Sequence, residues 1–267
     1  MKYNDQKQSQ AFHFQLVKPS GKLSTFVKDI WVASVSQHEQ APIIKPLYPD
    51  AASGLIFNLR NTISIDEQPF SQGIIALPVS KKASVINMPP NTLLAGIRFH
   101  PAMAYGVFGK HYQEPTNIHP NDLKSWQLHT TFHTLMQQQN IQHYTNIILH
   151  WAETLIDCVH VIPTPIEKAF SAIACFEKID HLAEISDVSQ RHIERLFHTW
   201  LDMTPKHFQR VIRIHHAIQC LRENPYTDLA DIAAHFKFSD QAHMTRECRA
   251  FTDTTPKRIR QLKMRHL

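Results

Sequence analysis

One pattern is written twice in the C-terminal part of this chain. In the first copy Ile179, Leu182, Ala183 and Val188 lead to Arg195 and then to Thr204-Pro205-Lys206. In the second, Leu229, Ile232, Ala233 and Phe238 lead to Arg246 and then to Thr255-Pro256-Lys257. The first four positions recur 50 residues on and the last four 51 residues on, so one extra residue lies between Phe238 and Arg246. A register kept through so many positions reads as a duplicated supersecondary unit. The Leu182-Ala183 and Ile232-Ala233 runs fit short helices with one buried stripe. Ser189 and Ser239 then stand as N-caps of second helices, because a hydroxyl accepts from the free N–H groups of a first turn. Two short helices, a tight turn and a second helix rich in Arg and His make a helix-turn-helix, whose second helix can enter a DNA major groove.

The segment between the copies is equally explicit. Thr204-Pro205 and Thr255-Pro256 each place a capping hydroxyl before a proline, which is tolerated at a helix start because its missing N–H has no partner there anyway. The helix opening at Pro205 is expected to run to about Glu223, a length of ~28 Å. That is close to the ~34 Å between major-groove faces one turn apart, so a connector of this length is expected to phase the two units. Phe208, Val211, Ile212, His215, Ile218 and Leu221 form its expected buried stripe. On the first recognition helix, Ser189–Trp200, residues Arg191, Glu194 and Arg195 share one face and Ile193, Leu196, Phe197 and Trp200 the other. Arg reaches both guanine acceptors and Glu accepts from cytosine, so the first face carries base-reading chemistry. The bland alternative for Arg195 and Arg246 is an exposed charge paired with Glu194 or Glu247.

Residues 165–267 resemble the DNA-binding domain of the AraC/XylS transcription regulators, an all-α domain of two helix-turn-helix units joined by a long helix. The resemblance rests on Leu182-Ala183, on Ser189, Arg191-His192-Ile193 and Arg195-Leu196-Phe197, on Thr204-Pro205, and on Arg210 and Arg213. Beyond Ala217 and Leu221 it continues through Asp231-Ile232-Ala233, Phe238-Ser239-Asp240-Gln241, Arg246, Phe251, Thr255-Pro256 and Arg260. It implies base contacts at Arg191, Glu194 and Arg195 and, on the second helix from Asp240 to Ala250, at Gln241, Ala242, His243, Thr245 and Arg246. Gln can read adenine, and a Thr methyl can meet that of thymine. Lys206, Arg210, Arg213, Arg249 and Lys257 are read as phosphate contacts, which position without selecting sequence. The chain departs from the family where Gly is usual and Asp202, Lys237 and Asp253 stand. Asp accepts a left-handed backbone moderately well and Lys poorly, so the turn at Lys237 is the weakest part of the match.

Composition is compatible without deciding anything. The formal charge is +5 with a pI near 9.0, and it splits as +2 over residues 1–164 and +3 over 165–267. Such a bias fits nucleic-acid binding and does not demand it. Cys158, Cys175, Cys220 and Cys248 include no C-x-x-C pair and read as reduced thiols. The polar stretch Met1–Gln10 has no signal-peptide core, and no apolar run approaches a membrane span, so a cytoplasmic location is expected. The 19 histidines invite a metal, but His129-Thr-Thr-Phe-His133 lacks the Glu of a zinc protease helix and the adjacent His215 and His216 diverge by about 100°. Neither a metal, a cofactor nor an enzymatic activity is expected. A DNA-repair methyltransferase built on the same module needs several N-terminal cysteines, and residues 1–157 contain none.

Residues 1–163 are expected to form a separate α+β domain, a small β-barrel plus helices, ahead of a DNA-binding domain at 164–267. Leu55–Leu59, Thr62–Ile65, Gly73–Leu77 and Leu93–Phe99 read as strands between turn residues. Ala102–Phe108, Ser125–Gln139 and Ile141–Val159 read as helices. In the last, Ile147, Ile148, Trp151, Leu155 and Ile156 form a stripe that either packs on a neighbouring helix or closes a dimer. Pro163 and Pro165 break any helix and mark the boundary. Tyr48-Pro49-Asp50, Leu55–Leu59 and Gly96–Pro101 resemble the sensor or dimerisation domain of a poorly characterised subfamily. Arg98 and His100 alternate with Ile97 and Phe99, so in one strand both face one side and, if it lines a barrel, they hold an anionic effector. The resemblance implies an activator that contacts double-stranded DNA and RNA polymerase, with a homodimer and a small-molecule effector of unspecified identity. The alternative is an effector-independent regulator whose N-terminal domain only dimerises or binds a protein partner.

Overall fold

The computed structural model describes residues 11–119, 128–156 and 162–264. Its chain forms two compact units. The first comprises Met1–Pro46, Ser53–Pro78 and Val85–His160; the second comprises Leu47–Ala52, Val79–Ser84 and Val161–Leu267.

The first unit is β-rich. Its strands are β1 Phe12–Val17, β2 Val27–Val35, β3 Ile43–Leu47, β4 Ser53–Arg60, β5 Ile63–Ile65, β6 Gln68–Phe70, β7 Gly73–Leu77, β8 Ser84–Met88, β9 Leu93–Phe99 and β10 Thr116–Asn117. Its helices are α1 Met103–Phe108, α2 Leu128–Gln137 and α3 Tyr144–Glu153. The expected small barrel takes the form of two sheets, one ordered β1-β2-β9-β4-β7-β10 and the other β3-β8-β5-β6. The four expected strands are β4, β5, β7 and β9. In β4 and β9 almost every residue is buried, and a strand covered on both faces reads as an unbroken apolar run. β2 escaped the sequence reading because Lys28 and Asp29 interrupt its apolar run. Gly96 of β9 lies opposite Trp31 of β2, where a Cβ would sit 2.3 Å from the indole ring. Asn58 is fully buried, and its Nδ2 donates to the carbonyls of Asn61, Phe70 and Ser71 at 2.8, 3.0 and 3.1 Å, tying β4 to the β5–β6 hairpin.

Of its two expected roles, the α3 stripe takes the first, packing inside the unit. The α3 stripe is not left for a dimer: Ile148, Trp151 and Leu155 are buried within the unit, and the Trp151 ring meets Phe57 of β4 edge-on at 6.3 Å. Folding consumes that apolar face. Arg98 and His100 do not share a strand, because β9 ends at Phe99 and the His100 N–H donates to the Phe26 carbonyl at 2.9 Å. Arg98 stands opposite the buried Asp29 of β2, the cross-strand placement in which opposite charges meet. A cavity of about 530 Å³ opens elsewhere in this unit, with Ser34, Arg60, Asn91, Gln138 and Tyr144 in its lining; neither Arg98 nor His100 lines it. The expected helical residues Ser125–Gln127 and Asp157–Val159, with Cys158, lie outside the described residues, as does Met1–Gln10.

The second unit is helical: α4 Thr164–Ala174, α5 Leu182–Ile185, α6 Gln190–Leu201, α7 Pro205–Glu223, α8 Leu229–His235, α9 Gln241–Thr252 and α10 Pro256–Met264. α7 has the expected bounds, with Thr204 Oγ1 accepting from the His207 N–H at 3.1 Å. Its buried residues are Pro205, Phe208, Val211, Ile214, Ala217, Ile218 and Leu221. Ile212 and His215 are only half-buried, while Ile214 and Ala217 join the buried set, since α6, α8, α9 and α10 all pack on α7. Segments 47–52 and 79–84 join this unit through three contacts. Lys81 Nζ donates to Asp202 at 2.6 Å, the Ala83 N–H to the Phe251 carbonyl at 2.7 Å, and His215 Nδ1 to the Pro49 carbonyl at 3.2 Å.

The duplication extends to the backbone. Asp187 and Lys237 in the two helix-turn-helix turns have φ of 55° and 57°, and Asp202 and Asp253 after α6 and α9 both have φ of 52°. All three departures from the family's glycines therefore keep the left-handed conformation. Lys237 carries the steric penalty of that region, about 1–2 kcal/mol, without the local hydrogen bonding that Asp offers. Lys237→Gly is accordingly expected to stabilise the second unit by roughly 0.5–1 kcal/mol after the greater chain entropy of Gly is subtracted. Thermal unfolding of the two proteins checks this; a lowered midpoint for the glycine variant would contradict the strain.

Candidate nucleic-acid interface

α6 divides into two faces. Ile193, Phe197, Trp200 and Leu201 are buried, whereas Arg191, Glu194, Arg195, His198 and Thr199 are exposed. The Ser189 hydroxyl caps the helix by accepting from the His192 N–H at 3.2 Å. Arg195 does not pair with Glu194. Its Nη2 donates to His192 Nδ1 at 2.9 Å, and Glu194 takes the Gln190 amide at 2.8 Å. The three candidate base readers thus lie together on one open face.

α9 repeats the plan with one revision at its start. Asp240 is the N-cap, its Oδ1 accepting from the His243 N–H at 2.5 Å. That bond holds the Asp240 carboxyl below its ordinary pKa. Ser239, expected as the cap, is instead the extra residue of the repeat. Turn residues Asp187 and Lys237 are 50 apart, whereas caps Ser189 and Asp240 are 51 apart. The inserted serine is occupied locally: its N–H and hydroxyl lie 3.2 and 3.1 Å from His243 Nδ1, and the His243 ring packs edge-on against Phe238 at 5.6 Å. Gln241, Ala242 and Arg246 are exposed, while His243 and Thr245 are half-buried. The Thr245 hydroxyl donates to the Gln241 carbonyl at 2.9 Å, so its methyl is the part left to offer. His243 therefore has a structural task besides any contact with a base.

The five expected phosphate contacts separate into two groups. Lys206, Arg249 and Lys257 are exposed. Lys206 and Lys257 follow Pro205 and Pro256 in the first turns of α7 and α10, where free N–H groups and the helix dipole favour an anion. Arg210 and Arg213 are committed elsewhere. Arg210 forms a fork with Glu247 of α9, Nε to Oε2 at 2.8 Å and Nη2 to Oε1 at 2.9 Å, and its guanidinium lies 5.0 Å from the Phe251 ring. Arg213 lies 5.5 Å from the Phe238 ring, and burial lowers its pKa. Both therefore pack against α9 as well as being candidate phosphate contacts. The Arg210 hydrogen bonds also hold Glu247 below the usual carboxylate range, which leaves Arg246 without the Glu247 partner that its bland reading required. Glu247 entered the sequence reading only as that partner, since nothing local to α9 shows a residue on α7.

α7 does not act as a plain spacer between the two recognition helices. Phe208, near its start, packs on Phe197 of α6, while Arg210 reaches α9. Both α6 and α9 thus touch the N-terminal portion of α7, so their separation does not follow from the helix's full length.

Residues 182–262 match the family described as a helix-turn-helix domain (HTH_18). The second unit carries a helix-turn-helix domain. Within it, α5–α6 and α8–α9 are the two helix-turn-helix pairs. Residues 15–120 match a domain of unknown function (DUF6597). No curated protein matches the chain. Among solved structures, an AraC-type transcriptional regulator from Chromobacterium violaceum is 24% identical, covering 37% of this chain and 91% of that one with a TM-score of 0.35. ToxT from Vibrio cholerae is 8% identical, covering 94% and 98% with a TM-score of 0.48. The AraC-like transcriptional activator CuxR is 10% identical, covering 78% and 87% with a TM-score of 0.29. Among the described residues no helix is long and apolar enough to cross a membrane, and no cluster of His, Cys, Asp and Glu is fit to hold a metal.

Proposed function

We propose that the chain reads double-stranded DNA with two heads, α6 and α9, placed in adjacent major-groove segments. One observation carries the reading. Two N-capped helices recur in the same register, and each turns an open face with base-reading chemistry away from its buried stripe. Arg191, Glu194 and Arg195 form the first head, and Gln241, Ala242 and Arg246 the second, with His243 and Thr245 at its margin. Lys206, Arg249 and Lys257 anchor phosphates. Arg195→Ala and Arg246→Ala are each expected to cost ~1–3 kcal/mol of specific binding and to relax preference only in their own half of the site. Lys206→Ala is expected to weaken all sequences alike and to lower the salt slope by about one unit. Binding titrations across salt, on a duplex selected by the wild-type protein, test the division. If Lys206→Ala alters base preference while Arg195→Ala does not, the roles are wrongly assigned.

We infer a domain boundary before Thr164, a reading supported by Pro163 preceding the first helix of the second unit. Activation through RNA polymerase rests on the family resemblance. For the first unit the effector-independent alternative has a specific observation in its favour. The expected ligand pair Arg98 and His100 is divided by the end of β9, and Arg98 faces Asp29. A dimer, if formed, uses another surface than the α3 stripe.

A further inference from the structure

We propose that Arg210 and Glu247 are a positioning pair that sets the angle of the second reading head against the first, and so determines base preference in one half of the DNA site. The proposal rests on the two-headed reading above. The heads are attached to α7 by different chemistry. α6 is held by an aromatic cluster in which Phe197 meets Phe170 at 5.8 Å and Phe208 at 5.7 Å, with Phe170 and Phe208 stacked at 4.7 Å. The hydrophobic part of that attachment is non-directional. α9 is held by the Arg210–Glu247 fork, flanked by the Arg210–Phe251 and Arg213–Phe238 contacts and by His207, whose ring lies 5.5 Å from Phe251. Two parallel N–H···O bonds fix both distance and angle, which a single ammonium cannot do.

Phe208 and Arg210 are two residues apart on one helix, so they project about 200° apart. One short stretch of α7 therefore grips both heads from nearly opposite sides. The Glu247 side chain is only 15% exposed and that of Arg210 38%, so the fork is shielded from the solvent that weakens surface pairs. Glu247 also sits one residue beyond Arg246. Turning α9 about the fork swings the Arg246 side chain with it, and a displacement of about 1 Å is enough to spoil a positioned contact. The first copy has no counterpart of the fork: at the 51-residue offset Glu247 corresponds to Leu196. The clamp is therefore specific to the second head.

The test uses the full-length chain and a randomised double-stranded DNA library, selected in parallel with the wild type, Arg210→Lys, Glu247→Gln and the double variant. The lysine keeps the charge and loses the fork, and the glutamine keeps the shape and loses the charge. Each single variant is expected to lower base discrimination by about tenfold in the half read by α9 and to leave the other half unchanged, with the double variant no worse than either single. Equal loss in both halves, no loss in either, or additive losses in the double variant would each overturn the proposal. Thermal melts separate angle from folding, since a destabilised domain loses both halves together. The wild-type footprint tests the parent reading on its own: protection of a single segment removes the two-headed reading, whatever the variants do.

Discussion

Phe197→Ala is expected to destabilise the second unit by about 3–5 kcal/mol and to abolish binding at both halves of the DNA site. Phe197 is fully buried and meets both Phe170 and Phe208 edge-on. Its removal forfeits the transfer free energy of a phenyl ring, leaves a cavity, and breaks two aromatic contacts worth ~0.5–1.5 kcal/mol each. A domain of this size holds only about 5–15 kcal/mol in total, so the loss is a large share of it. Arg195, two positions away and on the open face, supplies the control. Arg195→Ala is expected to lose base preference with an unchanged unfolding midpoint. Urea unfolding and a binding titration on the same samples decide the matter. A Phe197→Ala protein with wild-type stability and wild-type binding would mean that the cluster does not hold α6.

Gly54→Ala is expected to cost the first unit about 3 kcal/mol or more. A Cβ at this position would lie 2.1 Å from the Ile97 carbonyl oxygen and 3.2 Å from the Arg98 Cα. Both are backbone atoms of β9, which is paired to β4 along its length, so no flexible side chain can yield. Relief requires β4 and β9 to part at the middle of the six-stranded sheet, with loss of ladder hydrogen bonds on a strand buried on both faces. Denaturant unfolding followed by tryptophan fluorescence reports the change, since Trp31 and Trp151 both lie in this unit. A midpoint within experimental error of the wild type would show that the sheet accommodates the methyl group.

The two units differ in how much of them could be read without coordinates. In the second, the helix bounds, the Thr204 and Ser189 caps and the open Arg191–Glu194–Arg195 face were all legible. Each depends on hydrogen bonds and spacings spanning only three or four residues. The cap of α9 misled the reading because Ser239 and Asp240 are adjacent and both are good caps; only the backbone shows which one the helix begins after. In the first unit, β4 and β9 stood out as apolar runs, but β2, at the heart of the same sheet, did not. Its Lys28 and Asp29 look like surface residues until Asp29 is placed opposite Arg98.

What the sequence by itself determined is the duplicated helix-turn-helix, the Ser189 and Thr204 caps, the bounds of the connector and the residues of its open faces, since all of these are local and repeat in register. Tertiary structure alone decided which charges are packed between helices. Arg210, Arg213, Arg246, Lys206 and Lys257 look alike in sequence, yet the first two are drawn into the α7–α9 interface by Glu247, Phe251 and Phe238. It likewise decided that the α3 stripe is buried within its own unit and that Arg98 stands opposite Asp29 of β2. Each of these outcomes depends on which surfaces meet across tens of residues, and no local periodicity carries that information.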